Sequence, residues 1–184
     1  MKTQIATLAG GCFWCLDSAF RRVKGVGLVE SGYCGGHSEN PSYEAVCGGN
    51  TGHAEAVRLE FDASLVDYRT LLTLFFSLHD PTTLNRQGAD IGTQYRSAIF
   101  YHNEQQHEDA KEIIDDLERR AVWADPIVTE LAPAGRFYPA EQYHQDYAAN
   151  NKSNRYCQMV INPKLAKFTE RYRDLLILPS NMSS

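Results

Sequence analysis

Residues 3–34 read TQIATLAGGCFWCLDSAFRRVKGVGLVESGYC, and the architecture follows from this stretch. Thr3–Ala9 reads as a short strand that runs into Gly10-Gly11. An apolar-periodic stretch comes next, with Leu16, Ala19, Phe20 and Val23 at helical spacing. Gly25 and Gly27 close that helix, and Val26–Tyr33 reads as a second strand before the glycine-rich segment Cys34-Gly35-Gly36. The chain thus opens with a strand, a tight turn, a helix and a strand.

Further along, a long loop reaches Gly52. From His53 to Phe61 the alternation is regular: His53, Glu55, Val57, Leu59 and Phe61 share one face, and Ala54, Ala56, Arg58 and Glu60 the other. Tyr68–His79 predicts a helix apolar on most sides, hence buried, that stops at Pro81. Tyr95–Tyr101 reads as a strand. Asn103 with Gln106 resembles a capping box opening a helix whose core stripe is Ala110, Ile113, Ile114, Leu117 and Ala121. Ile127–Leu131 reads as a further strand, and short helices are expected near Glu141–Ala149 and at Pro163–Leu175. The order β-α-β-β-α-β up to Tyr101 predicts an α+β fold, a two-layer ferredoxin-like (split βαβ) sandwich with extra C-terminal helices and coil. No repeat or linker divides the chain, so residues 1–184 are expected to form one domain, with Pro179–Ser184 a frayed tail.

A length of 184 residues suits one domain, and 43% hydrophobic with 22% charged residues is an ordinary globular composition. Two large domains and disorder are excluded. The net charge of −5, without an Arg/Lys run, argues against nucleic acid or an anionic membrane as partner. A small or peptidic substrate is expected. Ile5–Cys12 faintly imitates a lipoprotein signal, but the apolar run is too short and two glycines interrupt it. No run approaches the roughly 18 apolar residues of a membrane span. A cytoplasmic protein with reduced thiols is expected, in which cysteines serve catalysis, metal binding or redox sensing. The cysteines number five, so they cannot all pair within one chain.

Cys12 follows a strand and a Gly-Gly turn and falls at the first turn of a helix, where free N–H groups and the macrodipole favour a thiolate. Phe13 and Trp14 put an aromatic wall beside it. Cys12-Phe13-Trp14-Cys15 also spells C-x-x-C. A zinc site would need a second compact pair, which the distant Cys34 and Cys47 do not supply, so no metal is expected. Thioredoxin-like dithiol exchange, or a redox-sensing module using Cys12 and Cys15, stays open as the alternative. Glu55 shares its strand face with Val57, Leu59 and Phe61. The pleat turns it toward the core, where desolvation would keep it protonated near neutral pH as a general acid. The competing reading has Glu55, near the strand start, reaching water or a salt bridge.

Gly11-Cys12-Phe13-Trp14, Gly32-Tyr33-Cys34-Gly35-Gly36, Asn40–Cys47, Thr51–Val57 and Gly92–Ser97 together resemble, in order, the A-type peptide methionine sulfoxide reductases. With His79-Asp80-Pro81 and Phe137–Tyr147, the resemblance covers most of the chain from Ala9 to about Cys157. It implies a catalytic domain that needs no cofactor and reduces methionine S-sulfoxide, free or in oxidised proteins. By resemblance Cys12 attacks the sulfoxide sulfur, Glu55 protonates or hydrogen-bonds the oxygen, and Tyr43 and Tyr95 help polarise it. Phe13 and Trp14 would grip the methyl group, and Asp90 would orient the substrate. A neutral acid with two phenols would stabilise charge growing on the oxygen as an oxyanion hole does.

After transfer Cys12 would be a sulfenic acid, which condenses with a second thiol. Cys157 matches the C-terminal recycling cysteine of many members and is the expected partner. Cys15 is the other candidate. Where other members end in a glycine-rich tail with two cysteines, this chain has Val160-Ile161-Asn162-Pro163-Lys164 and a helix. Thioredoxin is the implied reductant, and a monomer is expected. Cys34 and Cys47 are expected to be structural.

Overall fold

The strand with the regular alternation, β3 (Ala54–Asp62), lies inside the sheet. β1 (Thr3–Ala9) pairs antiparallel on one side, with Leu8 opposite Val57. β2 (Val26–Cys34) pairs antiparallel on the other, with Tyr33 opposite Glu55. β6 (Ala98–Tyr101) joins the far side of β1, also antiparallel. The computed structural model of the protein describes residues 2–177, so the tail expected at Pro179–Ser184 lies outside the described residues.

Between β1 and β2 runs α1 (Phe13–Phe20), and between β3 and β6 runs α3 (Tyr68–Ser77). The Asp67 carboxylate caps α3 by accepting the Thr70 N–H at 2.8 Å. Leu71, Leu72, Leu74 and Phe75 of α3 are fully buried and share one core with Leu16 and Phe20 of α1 and with Leu8, Val57, Leu59 and Phe61 of the sheet. Glu55 lies on this helix-covered face by the strand's alternation. On the opposite face Ala54, Ala56, Ala98 and Cys34 are equally buried, covered by Ala132, Ala134 and Phe137. Small residues let that coil lie close: a Cβ on Gly32 would stand 2.4 Å from Phe137 Cζ.

Several elements differ from their sequence expectation. The loop before Gly52 contains α2 (Tyr43–Cys47), capped by the Ser42 hydroxyl, which accepts the Ala45 N–H at 3.1 Å. Only Ala98–Tyr101 of the predicted Tyr95–Tyr101 strand is extended. Thr93–Tyr95 forms a 3₁₀ turn after Gly92, whose φ of 146° is open to glycine, and this lifts Tyr95 off the sheet. A two-strand hairpin, β4 (Arg86–Gln87) and β5 (Asp90–Ile91), precedes it. After α4 (Glu104–Arg119), the strand expected at Ile127–Leu131 is β7 (Glu130–Pro133), parallel to β6 as a helical crossover requires. Ala121 falls beyond the end of α4, at φ 49°.

β8 (Tyr138–Pro139) adds an edge strand to β2. The helix expected near Glu141–Ala149 is a 3₁₀ turn, Gln142–His144, then α5 (Tyr147–Asn150), divided by Asp146 at φ 51°. The last helix begins with a π-helical turn, Cys157–Ile161, that runs into α6 (Asn162–Arg171); Arg173–Leu175 is again 3₁₀.

The irregular 140–147 segment is fixed by side chains in place of a ladder. The Gln145 amide accepts the Ser31 N–H at 2.9 Å and donates to the Ser31 carbonyl at 2.9 Å, as a strand neighbour would. Asp17 of α1, fully buried, accepts from Ser31 Oγ at 2.9 Å, from the Asp146 N–H at 3.2 Å and from Arg21. Asp17→Ala therefore strands several donors. It is expected to cost about 2–4 kcal/mol, read as a lower urea midpoint, and an unchanged midpoint would contradict this role.

Candidate active site

The turn out of β1 aims the reactive thiol. Gly11 takes φ +87°, and a Cβ there would stand 2.7 Å from Gln87 Cγ. One on Gly10 would meet His79 and Phe75 at 3.0 Å. Both positions thus disfavour side chains, and the chain delivers Cys12, half-buried, to the N-cap of α1. Glu55 comes alongside because β3 runs antiparallel to β1, and its Oε1 accepts the Phe13 N–H at 3.1 Å.

Glu55 is 1% exposed, and burial pushes its carboxyl up to about 8, helped by the Asp90 charge and opposed by the Phe13 N–H. It carries a proton at neutral pH, as the inward-facing register predicts. Cys12 departs from its sequence expectation. Burial first, and the Glu55 charge next, hold its thiol well above the ordinary value. Only the Trp14 N–H favours its thiolate among the backbone groups, because the Phe13 N–H is committed to Glu55. A helix start alone therefore does not ionise this cysteine. Proton and charge at Cys12 and Glu55 are tied, since protonating the carboxyl removes one obstacle to thiolate formation.

Two phenols face the pair. Tyr43 sits on α2, its N–H donating to Glu141 Oε2 at 3.1 Å, and Tyr95 on the 3₁₀ turn that replaces the predicted strand. Burial raises both phenols, reinforced by the neighbouring Cys47 at Tyr43 and by the Glu55 charge at Tyr95, so both remain donors. Phe13 is fully buried, its ring 5.8 Å from Tyr33 and 5.2 Å from His144. Trp14 is half-buried, stacks on Tyr147 at 3.8 Å and donates its indole N–H to His144 Nδ1 at 3.0 Å. That bond assigns the imidazole proton to Nε2 in the neutral ring, and burial lowers the His144 value.

On the other side of Cys12, Asp90 Oδ2 accepts the Tyr156 O–H at 2.5 Å. A cavity of about 80 Å³ opens here, with Cys12, Cys15, Asp90, Tyr156 and Lys164 in its wall. A larger groove of about 500 Å³ between α3 and α4 contains none of these groups. Cys157, 1% exposed, begins the π turn and packs in the core outside the cavity wall. The fold thus gathers Cys12, Phe13, Trp14, Tyr43, Glu55, Asp90 and Tyr95 and adds Cys15 beside them. Sequence reasoning missed Glu141, His144, Tyr156 and Lys164 as individual contributors; the one signal was the aromatic and amide richness beyond Pro133. Among the described residues no group of three or more His, Cys, Asp or Glu is placed to hold a metal ion.

Comparison with known proteins places this site in context. The family model for peptide methionine sulfoxide reductase matches residues 4–175. Peptide methionine sulfoxide reductase MsrA of Chromobacterium violaceum is 56% identical over 171 residues, which is 93% of this chain and 97% of that protein. The MsrA of Saccharolobus solfataricus is 53% identical, covering 93% and 96%. Among solved structures, reduced Mxr1 from Saccharomyces cerevisiae superposes with a TM-score of 0.77 at 35% identity, covering 85% of this chain and 90% of that one. Methionine sulfoxide reductase A of Corynebacterium diphtheriae gives 0.78 at 36%, covering 83% and 76%.

Proposed function

Because the chain belongs to the peptide methionine sulfoxide reductase family, we propose that Cys12 is its nucleophile, Glu55 its acid, and Tyr43 and Tyr95 the phenols that bind the sulfoxide oxygen. The protein is a thiol-dependent reductase of methionine sulfoxide. What supports the assignment most is the protonated carboxyl of Glu55, buried beside the Cys12 thiol and braced by the Phe13 N–H. Simple dithiol exchange transfers no oxygen for such a proton to meet.

In the reaction the Cys12 sulfur attacks the sulfoxide sulfur while Glu55 gives its proton to the departing oxygen. The cysteine's proton returns to Glu55, and the hydroxyl then passes to the Cys12 sulfur: the S–O bond of the substrate and the transient bond between the two sulfurs break as an S–O bond forms on Cys12. Methionine sulfoxide and Cys12–SH become methionine and Cys12–SOH with no net proton uptake. Charge that grows on oxygen in this step meets the Glu55 proton and two phenolic O–H groups. Trp14, steadied by Tyr147 and His144, and Phe13 behind it form the apolar wall for the methyl group. Asp90 orients the remainder of the substrate.

An apolar wall on one side and oxygen donors on the other fit one configuration at sulfur, because exchanging the two strands a polar oxygen against Trp14. We assign the S epimer, free or within a peptide. Racemic methionine sulfoxide with dithiothreitol is then expected to stop at about half conversion, one enzyme serving one epimer. Conversion continuing past that point at an undiminished rate would reject the assignment.

The sulfenic acid left on Cys12 condenses with Cys15 or Cys157, and thioredoxin reduces the disulfide. We read the protein as a single catalytic domain, a cytoplasmic monomer. Among the described residues no helix is long and apolar enough to cross a membrane. The strand order β6-β1-β3-β2, antiparallel throughout, supports a ferredoxin-like split βαβ core decorated by β7, β8 and the C-terminal helices.

A further inference from the structure

We propose that Lys164 is a positioning residue for recycling: from the first turn of α6 it lines the cavity that Cys12 shares with Cys15, and it prepares Cys15 to condense with the Cys12 sulfenic acid. This rests on the assignment of Cys12 as nucleophile.

The backbone already places the two sulfurs within reach. Cys12 is the N-cap of α1, and the Cys15 N–H donates to the Cys12 carbonyl at 3.2 Å. Such a turn keeps the first and fourth Cα within about 7 Å, a separation compatible with a disulfide. Cys157 is placed differently. Its side chain is buried in the core, its N–H donates to Asn154 Oδ1 at 3.2 Å, and Tyr156 before it is bonded to Asp90. Reaching Cys12 from there requires the π turn to open, whereas Cys15 lines the same 80 Å³ space already.

The charges around that space favour Cys15 once Cys12 is oxidised. Cys12 comes from the head of α1, Asp90 from the hairpin, Tyr156 from the segment before the π turn, and Lys164 from α6. His79 stands behind Gly10 and is neutral, its value lowered by burial to about 4. Asp90 is engaged with the Tyr156 hydroxyl. Lys164 is half-buried, and none of the ion pairs among the described residues involves it. Burial raises the Cys15 thiol, and the Lys164 charge opposes that rise. The sulfenic acid of Cys12 is neutral, so after oxygen transfer no charge on Cys12 opposes a thiolate on Cys15, which the ammonium favours.

The step is balanced within the protein. Cys15–SH loses its proton, its sulfur bonds to the Cys12 sulfur, and the S–O bond of Cys12–SOH breaks. The hydroxide leaves with that proton as water, giving the Cys12–Cys15 disulfide.

The test mixes reduced enzyme with one equivalent of methionine sulfoxide, without reductant, at several pH values. Methionine is quantified, and the disulfide is trapped by thiol alkylation and located by peptide mapping. Wild type, Lys164→Met and Lys164→Arg are compared. The expected first disulfide is Cys12–Cys15. In Lys164→Met it should form about three- to tenfold more slowly at neutral pH, with its rate profile displaced to higher pH and the deficit closing at alkaline pH. Lys164→Arg should restore the wild-type profile, which loss of packing alone would not. A first disulfide between Cys12 and Cys157, or superimposable profiles for wild type and Lys164→Met, would overturn the proposal. Absence of a methionine burst in wild type would instead reject Cys12 as nucleophile.

Discussion

Replacing Cys12 with serine is expected to lower methionine formation by at least about 10⁴-fold, the scale on which loss of a nucleophile registers. A hydroxyl is a poor nucleophile toward sulfur and cannot store the transferred oxygen as a sulfenic acid. The fold should tolerate the change, because Cys12 occupies an N-cap without a side-chain capping bond, and serine is among the preferred N-cap residues. Thermal stability is therefore expected to stay level or rise slightly while activity disappears. The measurement is single-turnover methionine yield beside a circular dichroism melt. Methionine release by the serine variant at more than about one hundredth of the wild-type rate would remove Cys12 from the mechanism.

Glu55→Ala is expected to cost about 10²–10³-fold in the reduction step, the usual range for deleting a donor to a developing oxyanion. Glu55→Gln keeps N–H groups near the oxygen but has no proton to give, so a loss of about tenfold is expected. The pH profile separates the roles. The carboxyl is raised to about 8, so the working, protonated form predominates below that pH and is lost above it. Wild type should therefore lose rate as pH rises through about 8, and Glu55→Gln should lack that descending limb. Stopped reactions across pH 6–10 would show it, and equal rates for the two variants would refute the acid role.

Much of this was legible in sequence where periodicity or local sterics decide the outcome. The two-residue alternation from His53 turned Glu55 inward, and Gly10-Gly11 marked a turn that disfavours side chains. Tyr95 was misread as part of a strand because the 3₁₀ turn after Gly92 has no alternation of its own to announce it. The 140–147 segment escaped for a different reason. Its shape is imposed by Ser31 and Asp17, more than a hundred residues earlier in the chain, and no local pattern encodes such bonds. The raised thiol of Cys12 was likewise hidden, since the helix start suggested ionisation and only the folded neighbourhood shows the Phe13 N–H diverted to Glu55.

The distance along the chain between bonded partners carries a consequence for folding. Trp14 meets His144 across 130 positions, Tyr33 meets Glu141 across 108, and Tyr156 meets Asp90 across 66. Contacts of such high order close slowly, because chain entropy must be surrendered before they form. The α1–β2 hairline of the fold can assemble from neighbours, whereas the aromatic wall beside the thiol waits for the C-terminal third to dock. Enzymatic competence is thus a late acquisition of the folding chain, and the reactive sulfur remains without its selective surroundings until the molecule is nearly complete.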